Sequence, residues 1–183
     1  MDMILQIIGG LVALAALGFA VIVVYAWTKA TDDTKILAAK RTPLVLESMT
    51  ATEAVFSLGM PLVNDGKEEA AILDVFVRPY LPQEQFDAAT VFGHVETADR
   101  RRSDNYFEAL MLKSKGVKPL IVTLRFVANN GLTIKEALAH MVDMDAAVYY
   151  NGLARKDIYI RKTFFTIMGE EIRTLVGGAG NGK

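Results

Sequence analysis

The chain contains no cysteine. Disulfides, thiolate metal sites, iron–sulfur clusters and a cysteine nucleophile are therefore excluded. The compartment stays open, because both sides of a membrane tolerate cysteine-free proteins. Histidine is scarce: His94 and His140 are the only two, and they are separated by no ligand spacing. His94, Glu96 and Asp99 outline a metal edge without a signature, and no metal site is assigned. His140 falls near the end of a capped helical segment, where a charged imidazole suits the helix dipole. An excess of either charge is also missing. Twenty basic residues face twenty-one acidic ones, for a net charge of −1. Nothing in that balance points to nucleic acid, or to a surface held by charge alone. The chain has no nucleophile elbow, glycine-rich phosphate loop or zincin motif. No catalytic residue and no cofactor are assigned, and a non-enzymatic protein is expected.

One segment lacks charge altogether. Met3 to Trp27, MILQIIGGLVALAALGFAVIVVYAW, carries no ionisable acid or base. As a helix it would span roughly 37 Å, against about 30 Å of bilayer hydrocarbon. Only a helix carries a single segment through lipid, since each backbone polar group must be satisfied within it. A cleaved signal peptide would have a basic start and an apolar core of about 7–15 residues. Here Met1 and Asp2 precede a much longer run. An uncleaved single-pass anchor over residues 1–28 is the expectation. No basic residue precedes the run, whereas Lys29, Lys35, Lys40 and Arg41 follow it. That bias predicts an outside N-terminus and a cytoplasmic domain. Tyr25 and Trp27 fall where interfacial aromatics belong. Gly9 with Ala13, and Ala16 with Ala20, repeat small residues every four positions. This spacing lets a second membrane helix approach closely.

All charges except Asp2 lie beyond the run, in about 155 residues, enough for one domain with a core. Residues 29–43 read as a juxtamembrane connector in which TKILAAKR extends the helix by two turns until Pro43 stops it. From Leu44 the period becomes alternating. Leu44-Val45-Leu46 is a short strand. Ala54, Phe56, Leu58, Met60 and Leu62 alternate with Val55, Ser57 and Gly59 as a half-buried strand. Asn64-Asp65-Gly66 is a hairpin signal, and EEAAILDVFVRPY reads as its return strand. That strand is apolar on both faces at Val75-Phe76-Val77, which predicts a place inside the sheet system. Pro79 and Pro82 end it. Gln83 to Ala89 reads as a short helix, Val91-Phe92 as a short strand, and Glu96 to Ser103 as an exposed loop.

Tyr106 to Lys113 and Leu120 to Phe126 are further strand candidates, separated by the turn Ser114-Lys115-Gly116. Asn129-Asn130-Gly131 ends the second of them. Thr133-Ile134-Lys135-Glu136 is a capping box that opens a helix to about Met141. Ala147 to Tyr150, a turn at Asn151-Gly152, a long strand from Ile158 to Met168 and a short helix from Glu170 to Val176 complete the globular region, residues 44–176. The glycine-rich tail, residues 177–183, has nothing to pack. The expectation is therefore an N-terminal transmembrane helix followed by a mainly-β domain. An immunoglobulin-like two-sheet sandwich with one or two short helices fits best, and an α+β roll is the alternative.

Arg100-Arg101-Arg102 is the only dense basic run. With Tyr106 and Phe107 nearby, it is the candidate contact for an anionic group or an acidic partner, although Asp99 and Asp104 flank it. A sandwich implies no function by itself. The reading that uses most of these features is an accessory or scaffold subunit of a membrane protein complex. Its partners would be membrane lipid and other membrane-protein subunits or further copies of itself, with no nucleic acid. The alternative is a membrane-tethered module for a small ligand or an anionic lipid headgroup. Its mouth would lie at residues 83–103.

Overall fold

The computed structural model describes residues 2–28, 33–102, 104, 106–153 and 157–178, which fall into two units, Met1–Thr31 and Asp32–Lys183. The first is a single helix, α1 (Asp2–Thr28). Within it Gln6–Tyr25 has a mean hydropathy of 2.8 and no buried residue, so the helix is apolar on every side. It is long and apolar enough to cross a membrane. Gly9, Ala13, Ala16 and Ala20 all lie exposed on it.

The second unit is all-β, with antiparallel strands in two sheets and few helices. Its strands are β1 (Thr34–Ile36), β2 (Val45–Met49), β3 (Glu53–Asn64), β4 (Ala70–Tyr80), β5 (Ala89–Thr97), β6 (Leu110–Leu112), β7 (Val117–Ala128), β8 (Met144–Leu153) and β9 (Ile158–Ile167). One sheet runs β1-β3-β7-β5, with β2 also paired to β3. The other runs β6-β4-β8-β9. In β3 the even-numbered residues from Ala54 to Leu62 are buried and the odd ones half-exposed, as the alternation predicts. They pack on the inward residues of β7, where Phe56 meets Phe126 edge-on at 5.6 Å. The inner faces of both sheets form one core with Ile72, Val75 and Val77 of β4 and Val148 and Tyr150 of β8. The two-sheet arrangement is the one expected. The roll alternative required a helix packed on one curved sheet. The short helices here are α2 (Ile134–Leu138) and α3 (Gly169–Gly178).

Several local expectations are corrected. Asn64-Asp65-Gly66 makes no hairpin, because β3 and β4 lie in different sheets. Asn64 is instead fully buried and ties together the chain crossing between them. Its amide nitrogen donates to the Glu68, Leu112 and Lys113 carbonyls, and its oxygen accepts from the Asp33 and Gly66 N–H groups. TKILAAKR is not helical. Thr34–Ile36 is a strand paired to the end of β3, followed by a single 3-10 turn at Ala38–Lys40. The Tyr150 hydroxyl donates to the Thr34 carbonyl at 2.6 Å, anchoring β1 across to the other sheet. Gln83–Gln85 form a turn rather than a helix, and Asn151-Gly152 continue β8 rather than turn. The strand at Val91-Phe92 extends through Thr97, so Glu96 leaves its expected loop and is 4% exposed. Of Tyr106 to Lys113 only Leu110–Leu112 is strand. The capping box forms as read, but α2 ends at Leu138. Gly177 and Gly178 close α3, and the rest of the glycine tail lies outside the described residues.

Candidate functional site

The three arginines follow β5 in a tight reversal, where the Arg100 N–H donates to the Thr97 carbonyl at 3.0 Å. Each guanidinium meets a carboxylate of the same domain. Arg100 pairs with Glu108 at 2.6 Å. Arg101 forks onto both oxygens of Glu47 at 2.8 and 3.0 Å, and its Nε donates to Glu96 at 2.8 Å. Arg102 grips Asp104 through Nε and a terminal nitrogen and lies over the Tyr106 ring at 5.6 Å. Glu96 also accepts the Arg102 backbone N–H at 2.7 Å.

The electrostatics follow from these contacts. The Arg101 fork holds the Glu47 carboxyl below its ordinary range, and the two glutamates raise the Arg101 guanidinium. Arg102, helped by the Tyr106 N–H, takes Asp104 down to about 2. A bound anion would have to displace one of these carboxylates, so the cluster acts as a clasp rather than an open cationic site. It joins β2, through Glu47, to the end of β5.

His94 sits half-buried on β5. Glu96 turns its carboxylate to Arg101, and Asp99 binds Lys118 at 2.8 Å. Among the described residues no group of three or more His, Asp or Glu gathers in a geometry for a metal. His140 lies exposed in the turn after α2.

A second feature was not read from the sequence. The outward face of β4-β8-β9 carries a continuous aromatic and cationic patch. Cross-strand register brings Phe76, Tyr149 and Lys162 into one row and Arg78, Ala147 and Phe164 into the next. The Phe76 and Tyr149 rings stack at 5.1 Å and 3°. The Tyr80 and Tyr149 hydroxyls share a hydrogen bond of 2.8 Å. Arg78 lies over the Phe76 and Tyr149 rings at 5.6 Å, and Lys162 over Phe164 at 5.0 Å. Phe164 is 54% exposed and Ile160 69% exposed. Among the described residues neither Arg78 nor Lys162 has a carboxylate partner. The sequence signal was the unbroken Val75-Phe76-Val77. Its outward member, Phe76, is half-buried by Tyr149 rather than by a covering layer.

No family model matches the chain, and neither does any curated protein. Among solved structures it is similar to a FixG-related protein from Vibrio parahaemolyticus, at 7% identity and a TM-score of 0.34, over 76% of this chain and 95% of that one. It is also similar to the GAE domain of GGA2p from Saccharomyces cerevisiae, at 8% identity and a TM-score of 0.29, over 69% and 98% of the two chains. A protein from Archaeoglobus fulgidus aligns at 10% identity and a TM-score of 0.29, over 75% and 97%. Likeness at this level assigns the chain to no family.

Proposed function

We propose that this chain is a non-enzymatic accessory or scaffold subunit of a membrane protein complex, anchored by α1 and docking through the outward face of β4-β8-β9. The observation that carries the reading is that face. It combines exposed Ile160 and Phe164 with the stacked Phe76 and Tyr149, and extended apolar patches on a domain surface mark interaction sites. Arg78 and Lys162 favour another protein subunit with an apolar surface bearing carboxylates, since arginine and aromatics are enriched at such contacts. The small-residue positions Gly9, Ala13, Ala16 and Ala20 offer close approach to a partner helix. Lys29, Lys35, Lys40 and Arg41 support a cytoplasmic domain.

The fold class proposed for the domain is immunoglobulin-like. An order of β1/β2-β3-β7-β5 against β4-β8-β9 corresponds to the ABED and CFG sheets of a constant-type sandwich, with β6 added at the edge.

The test is extraction from the native membrane in mild detergent, followed by the mass and composition of the species recovered. A defined assembly is expected. It should be lost in the Ile160→Asp, Phe164→Asp double variant, while stability changes by no more than about 0.5 kcal/mol per site. A lone small species from wild-type membranes would refute the reading.

A further inference from the structure

We propose that a cavity at the seam between β4 and β5 is a binding site for a small organic amine with an apolar or aromatic body. The site shares Phe76 with the proposed docking face, but its ligand and its test are separate from the subunit reading. The cavity has a volume of about 540 Å³, and its walls include Asp74, Phe76, Phe92, His94, Thr123 and Arg125. That volume lies within the range of small-molecule sites.

The seam owes its shape to Gly93, which faces inward where β5 passes β4. A Cβ there would stand 2.6 Å from Val77 Cγ1, so only glycine allows the two strands this close. The walls then combine two phenylalanine rings with the Asp74 carboxylate. Below this surface Thr123 is 4% exposed, and its hydroxyl, itself closed to solvent, has no hydrogen-bond partner among the described residues. The other buried orphan among the described residues, Asn151 Oδ1, belongs to the residue directly cross-strand from Asp74.

Charge selects the ligand class. The Arg125 guanidinium is engaged by Glu53 at 2.9 Å and stacked on Phe92 at 5.0 Å. Asp74, by contrast, makes no ion pair or side-chain hydrogen bond among the described residues. The uncompensated charge in the wall is therefore negative. A protonated amine satisfies Asp74, and its apolar body lies against Phe76 and Phe92. Phe92 and His94 fall within the segment expected to form a ligand mouth, but the charge they help to bind is opposite to the one an arginine site would take.

The two histidines allow a direct test on the full chain in detergent. With ¹³C-labelled histidine, the His94 resonance reports on the cavity and His140 serves as an internal control. The probes are 2-phenylethylamine, phenylacetate and 2-phenylethanol, which differ chiefly in charge. The amine should shift His94 saturably and leave His140 unmoved, with phenylacetate inert and the alcohol much weaker. Asp74→Asn should weaken the amine at least tenfold. No saturable His94 shift with any probe up to about 10 mM would overturn the proposal. So would equal binding of acid and amine, or an Asp74→Asn variant that binds the amine as wild type does.

Discussion

Arg101 illustrates how residue chemistry is settled in this domain. In the sequence it is the middle of a basic run. In the fold it lies between Glu47 and Glu96, and Glu96 is 4% exposed. A carboxylate that deep in the protein requires a donor, since an unpaired buried charge is costly. Arg101→Met keeps the apolar stem and removes the fork. We expect it to cost about 2 kcal/mol of stability, read from the midpoint of urea denaturation. Glu47 adds a pH signature. Its folded-state pKa lies below its ordinary value, so its contribution is fully present above the unfolded pKa of about 4.3 and fades as pH falls through the folded value. The stability gap between wild type and Glu47→Gln should be largest near neutrality and close below about pH 4. A gap that persists unchanged into stronger acid would show that the contact does not depend on the carboxylate charge.

At the scale of elements, the seam between β4 and β5 depends on the missing side chain of Gly93. Val77 is β-branched and restricted at χ1, so it does not readily swing away from an added methyl. Gly93→Ala should destabilise by about 1–3 kcal/mol, the usual cost of overpacking. Adding Val77→Ala should recover much of that loss, and a double-mutant cycle would measure the coupling. The capping box of α2 makes a smaller contribution. The Thr133 Oγ1 accepts the Glu136 N–H at 3.3 Å, and Glu136 accepts the Thr133 N–H at 2.8 Å. Thr133→Ala should cost about 1 kcal/mol.

The whole molecule is a single apolar helix followed by a two-sheet domain, and the absence of cysteine makes its disposition measurable. A single cysteine introduced at exposed Glu84 reports only on the domain side. In intact cells an impermeant maleimide should leave Glu84→Cys unlabelled and label Asp2→Cys. Labelling of Glu84→Cys would reverse the proposed orientation. Mass analysis of the protein from membranes should recover the N-terminal peptide intact. Its loss would identify α1 as a cleaved signal sequence.

Features that depend on neighbours in the chain were legible from residues alone. The uncharged run over Met3 to Trp27 specified a helix able to cross lipid, because a backbone in hydrocarbon has no other way to satisfy its polar groups. The alternation in β3 and β7 and the capping box of α2 were readable for the same reason: period and capping act over a few residues. Features that depend on distant pairing were not. Asn64-Asp65-Gly66 has the chemistry of a hairpin, yet β3 finds partners in β1, β2 and β7, and its turn becomes a crossing between sheets. Glu47 meets Arg101 only because the segment after β5 reaches back to β2, with β3 and β7 lying between those two strands in the same sheet. The outward patch needed the register of β4, β8 and β9, and the β4–β5 cavity needed two sheets to meet at a glycine. Sequence determined the apolar helix α1, the alternating strands β3 and β7 with their apolar faces, and the capped start of α2. Tertiary structure alone decided which charges are neutralised and which polar groups are left without a partner, because those depend on contacts between residues far apart in the chain.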